Sequence, residues 1–83
     1  MLWHKFSKEE FYILYHLYLK SEAKPKGTTY EELKEYVCNI QGGDIALYEK
    51  ALRFFEKIGM IDLVNGLYVL KEKVIVQCYI WKG

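Results

Sequence analysis

The stretch that decides the fold is residues 54–70, FFEKIGMIDLVNGLYVL. A helical pattern stops at Gly59, where glycine takes a left-handed backbone without steric cost. A short apolar run follows over 60–64, then Asn65-Gly66, then a second apolar run over 67–70. Asn-Gly between two such runs favours a two-residue type I′ turn, whose twist matches that of paired strands. The turn predicts a hairpin in which Val64 faces Leu67 and Asp62 faces Val69.

Upstream, Asp44 is placed to cap a helix over 45–58, with Tyr48, Ala51, Leu52 and Phe55 on its inward face and Ile58 at its end. Before it, CNIQGGD reads as a turn. Thr28 and Thr29 each stand three residues ahead of a glutamate, Glu31 and Glu32, so a helix starts there with Thr29 as its cap. That helix runs through YEELKEYV and buries Tyr30, Leu33 and Val37. The connector KSEAKPKGTTY is punctuated by Pro25 and Gly27.

The first helix opens on a capping box, Ser7 with Glu10, and on Phe6 and Phe11 spaced as a hydrophobic staple. Phe11, Leu14, Leu17 and Tyr18 recur at helical spacing, and Tyr12, Ile13 and Tyr15 add apolar surface outside that stripe. A helix apolar on more than one side packs against two things. In so short a chain the second can be another copy of itself. At the other end, KVIVQCYIW (73–81) reads as a strand by its Val, Ile, Tyr and Trp content. Val74, Val76, Cys78 and Ile80 share one face and Ile75, Tyr79 and Trp81 the other, so both faces are expected to be covered or used for association.

Eighty-three residues make one domain, 1–83, and 52% hydrophobic with 17% aromatic content makes it a folded one. Eleven lysines and one arginine against eleven acids leave a net charge of +1, without the strong basic excess of many nucleic-acid-binding domains. Any phosphate-binding surface must therefore come from local placement of charge. The Lys, Glu, Tyr and Ile richness suits a hyperthermophile or a nucleotide bias of the genome. No apolar run is long enough to span a membrane, and MLWHKFSKEE lacks the features of a signal peptide, so the expected location is the cytoplasm.

No Gly-rich phosphate loop, His-Glu-x-x-His or nucleophile elbow occurs, and an enzyme is not expected. The pairs Glu9-Glu10 and Glu31-Glu32 sit at helix starts, where acids favour the helix dipole. His4 and His16 are isolated, so no metal site and no cofactor is expected. Cys38 and Cys78 are forty residues apart, without metal-ligand spacing. Two buried thiols is the favoured reading, a disulfide within or between chains the alternative.

The order helix, short extended GTT, helix, turn, helix, hairpin resembles the winged helix-turn-helix family. The resemblance rests on TTYEELKEYV and YEKALRFFEKIGMIDLVNGLYVL, with Leu52, Phe55, Gly59, Met60 and Ile61 where such regulators end the third helix before the wing. It covers about residues 7–71 and leaves the last strand as an addition. Size, aromatic content and that strand are also similar to small winged-helix proteins of archaeal viruses and plasmids.

The resemblance implies an α+β domain of three helices, a β-hairpin wing and an extra C-terminal strand, acting as a double-stranded DNA-binding regulator of transcription. The third helix would enter the major groove and the hairpin would lie on adjacent backbone. Carried over, Ala46, Glu49, Lys50 and Arg53 face the groove, Arg53 able to meet guanine and Lys50 a phosphate or base. Thr28 and Thr29 could meet phosphate, with Asn65 at the wing tip and Lys71 at its base. The stretch 44–57 departs from the usual pattern, because Asp44, Glu49 and Glu56 cancel Lys50, Arg53 and Lys57. A homodimer doubles the contacts, and Tyr12, Tyr15, Phe54, Ile75, Tyr79 and Trp81 are its candidate interface. The alternative is a winged-helix module that binds a protein partner without DNA.

Overall fold

The computed structural model describes residues 6–71. Three helices and a two-stranded antiparallel hairpin make an α+β unit. Helix α1 spans Lys8–Leu19 and is followed by a 3-10 turn, Lys20–Glu22. The capping box forms as expected: Ser7 N–H donates to Glu10 Oε1 at 2.9 Å, and Glu10 N–H to Ser7 Oγ at 3.2 Å. Two orphan donors of the first turn are thereby satisfied.

The buried stripe of α1 is Ile13, Leu14 and Leu17. Ile13, expected outside the stripe, is wholly buried, whereas Phe11 and Tyr18 are only partly covered. The reason is tertiary: α1 packs on the third helix, on the end of the second and on a strand, so its buried arc is wider than one stripe. Even Glu9 is buried, because its Oε2 accepts the Asp44 N–H at 2.8 Å and ties α1 to the turn before the third helix.

Thr29 caps helix α2, Tyr30–Lys34, through a second capping box with Glu32. The helix does not stop at Val37. It widens into i→i+5 winding over Glu35–Ile40, closed by Gln41 N–H donating to Tyr36 O at 3.0 Å. Cys38, Asn39 and Ile40, expected in a turn, are therefore helical. Leu33 and Val37 point into the core, and the Gly42-Gly43 corner then reverses the chain.

Helix α3 spans Ile45–Ile58 with Asp44 as cap, its side chain accepting Leu47 N–H at 3.0 Å. Tyr48, Ala51, Leu52 and Phe55 are buried as the periodicity predicts. Gly59, at φ 81°, ends the helix: its N–H bonds Glu56 O at 3.2 Å and Met60 N–H bonds Phe55 O at 3.0 Å. This is the Schellman geometry, which brings the residue after the glycine back onto the last turn. Met60 accordingly packs on the core, while Ile58, in the last turn of the helix, is 51% exposed.

Strands β1 (Ile61–Val64) and β2 (Leu67–Leu70) pair in the predicted register, Val64 with Leu67 and Asp62 with Val69. Asn65 and Gly66 both have positive φ, 52° and 81°, as a type I′ turn requires. The extended GTT contributes a third, one-residue strand. Thr28 N–H donates to Tyr68 O at 3.0 Å and Tyr68 N–H to Thr28 O at 2.7 Å, along the other edge of β2. The predicted strand 73–81 lies outside the described residues.

Candidate nucleic-acid interface

At about 100° of rotation per residue, α3 divides into sectors around its buried side. Ala46, Lys50, Arg53 and Lys57 fall within about 60° of one another and form an exposed crest rising about 16 Å along the axis. Glu49 and Glu56 lie together on one flank, and Leu47, Phe54 and Ile58 on the other. The zero net charge of the helix thus conceals a segregation. Its three basic groups share a crest that holds no acid.

The acidic flank faces α2 and the hairpin. Glu49 is half-buried and accepts a short hydrogen bond from the Tyr30 hydroxyl. That bond comes first among the causes that push the Tyr30 phenol up to about 12, burial second. Glu56 lies near Tyr68, whose phenol is raised first by burial and then by that carboxylate. Glu49 was expected to face the groove; its carboxylate instead fastens α2 to α3.

The threonines are also reassigned. Thr28 is fully buried, its backbone spent on Tyr68, and its hydroxyl donates to Glu32 Oε1 at 3.3 Å. It has no surface to offer a phosphate. Thr29 is half-buried, its N–H donates to Glu32 Oε1 at 3.3 Å, and its hydroxyl accepts Glu32 N–H at 3.1 Å. The bonds from Thr29 hold the Glu32 carboxyl below its usual range, so an anion already sits at this helix start.

Asn65 is exposed at the hairpin tip, and Lys71 is exposed at its base with its N–H on Met60 O at 3.0 Å. Lys57 was not singled out from the sequence, although its place four residues after Arg53 carried the signal. The opposite flank of α3 borders a recess of about 300 Å3 lined by Ser7, Glu10, Leu47, Lys50, Ala51 and Phe54.

Of the expected dimer residues, Tyr15 is exposed and stacks on Phe11 with centroids 5.7 Å apart. Tyr12 is largely used within the chain, edge-on to Tyr36 at 6.0 Å. Phe54 is 42% exposed and stands at the recess beside the basic crest. Ile75, Tyr79 and Trp81 lie outside the described residues.

His16 stacks on Tyr36 at 4.4 Å, and neither ring nitrogen has a hydrogen-bond partner among the described residues. Burial and then Lys20 lower its pKa, against an opposing pull from Glu32. Burial pushes the Cys38 thiol up, and Cys78 lies outside the described residues. Among the described residues no three His, Cys, Asp or Glu side chains are grouped to hold a metal ion. No described helix is long and apolar enough to cross a membrane.

No protein-family model, no curated protein and no solved structure matches the chain.

Proposed function

We propose that the chain is a winged-helix protein that binds double-stranded DNA as a homodimer and acts as a small transcriptional regulator without a cofactor. The observation that carries this reading is the exposed crest of Lys50, Arg53 and Lys57 on the outer side of α3, with Glu49 and Glu56 set to its flank. The order of elements supports it too, with Thr28, β2 and β1 forming a small sheet beside α3. Each chain of the dimer inserts α3 into the major groove of one half-site, the two half-sites about one helical turn apart. Arg53 donates to guanine O6 and N7. Lys50 contacts a base edge or phosphate, and Lys57 and Lys71 contact phosphates. Asn65 meets the neighbouring backbone from the wing tip. Tyr15, exposed on α1, contributes to the contact between chains.

Fluorescence anisotropy with a labelled random-sequence duplex tests this. Binding is expected at low salt and is weakened about tenfold by Arg53→Ala or Lys50→Ala, the scale of one lost charge-assisted bond. Absent binding, or binding indifferent to both substitutions, overturns the reading. A second reading, docking of a protein partner, is favoured by the exposed Leu47, Phe54, Leu63 and Val64. It predicts no salt-sensitive DNA binding.

A further inference from the structure

The apolar flank of α3 cannot be separated from its basic crest. Phe54 lies about 40° and Leu47 about 60° around the helix from Lys50, so a groove that receives Lys50 also meets them. Both are well exposed, at 42% and 50%. Between them lies the recess, floored by Ala51, with Lys50 and Glu10 also on its lining. Glu10 on the lining adds negative charge that disfavours a phosphate there. The apolar strip of Leu47, Ala51 and Phe54 on the α3 wall of the recess offers contact to a methyl group, and Lys50 beside it a donor to an acceptor. In the major groove one base edge has that pattern, thymine, with its O4 acceptor and C5-methyl. Cytosine presents an amino donor in place of O4, which the Lys50 ammonium cannot serve, and Glu10 already spends a carboxylate oxygen on the Ser7 N–H.

Resting on the DNA-binding reading above, we propose that Leu47, Ala51 and Phe54 with Lys50 form a thymine-reading subsite. Lys50 donates to O4, and the recess buries the methyl. Arg53 reads a guanine on the other side of the crest, so the preferred half-site contains both bases.

The test begins by selecting bound duplexes from a random pool with the wild-type chain. Enrichment of a thymine in each half-site is expected, and absence of any enriched thymine overturns the proposal. Replacing that thymine by uracil removes only the methyl. It should weaken wild-type binding about fourfold, the equivalent of one buried methyl at about 0.8 kcal/mol. Replacing the T·A pair by 5-methylcytosine·G keeps the methyl and removes the acceptor, and should weaken binding further. In Phe54→Ala and in Leu47→Ala the thymine-to-uracil difference should shrink toward onefold. Equal wild-type affinity for thymine and uracil, with Lys50→Ala and Arg53→Ala still weakening binding, overturns the subsite and leaves DNA binding intact. No salt-sensitive binding to the pool overturns both. Should either alanine variant fail to fold by circular dichroism, the wild-type comparison of thymine with uracil decides alone.

Discussion

At the scale of single residues, His16 is the group most at odds with its surroundings. Its ring is stacked on Tyr36, and both nitrogens are buried without a hydrogen-bond partner among the described residues. Leaving buried polar atoms unpaired costs about 1–3 kcal/mol. Burial, with Lys20 second, places the folded pKa below 6.5. A base whose folded pKa is depressed contributes stability that is complete above the unfolded pKa and lost as pH falls through the folded one. Stability should therefore decline as pH falls below about 6.5, because the unfolded chain takes up the proton first. His16→Phe keeps the stacking ring and removes both nitrogens. It should raise stability at neutral pH by about 1 kcal/mol. It should also flatten the part of the acid dependence that His16 causes. Urea unfolding of both proteins at pH 7.5 and 5.5 checks this, and an equal loss in the two would contradict it. His16 was legible as an isolated histidine, but not as a buried one, since its cover comes from Tyr36 on another helix.

At the scale of elements, the fold turns on how the sheet meets the helices. Gly27 has φ 99°, and a Cβ there would lie 2.6 Å from Tyr68 O and 2.8 Å from Val69 Cγ1. Gly27→Ala should therefore cost about 2–4 kcal/mol, combining positive-φ strain with overpacking against β2. A thermal melt would show it, and a change under about 0.5 kcal/mol, the range of an ordinary surface substitution, would refute it. The sequence marks Gly27 only as punctuation. The requirement comes from the Thr28–Tyr68 bridge, which brings the backbone of β2 within reach. The helix starts at Ser7, Thr29 and Asp44, the Gly59 stop and the hairpin register were all readable, because each depends on groups a few residues apart. The helical run through Ile40 was not, because i→i+5 winding has no periodic sequence signature.

At the scale of the whole molecule, a net charge of +1 is a poor guide to where the charge sits. On the proposed reading, the crest of α3 and Lys71 would give about four cationic contacts per chain, and a bound dimer would neutralise about six to eight phosphates. The logarithm of its binding constant should then fall against the logarithm of salt with a slope of about −5 to −7. A slope near zero would remove the phosphate contacts from the account. Sedimentation at micromolar concentration should give twice the chain mass, and a single-chain mass would remove the dimer. One chain alone should show about half that slope.

Neighbouring residues set where helices begin and end, which strand residues pair, and which side of α3 is buried. These follow from capping, backbone sterics and periodicity, which act over neighbouring positions. The tertiary structure decided which polar groups remain available to a ligand. It buried Thr28 under β2, fastened Glu49 to Tyr30, and left Lys50, Arg53 and Lys57 on an outer crest beside an apolar recess. A residue's availability depends on what chain-distant elements bring against it, and no spacing within one helix encodes that.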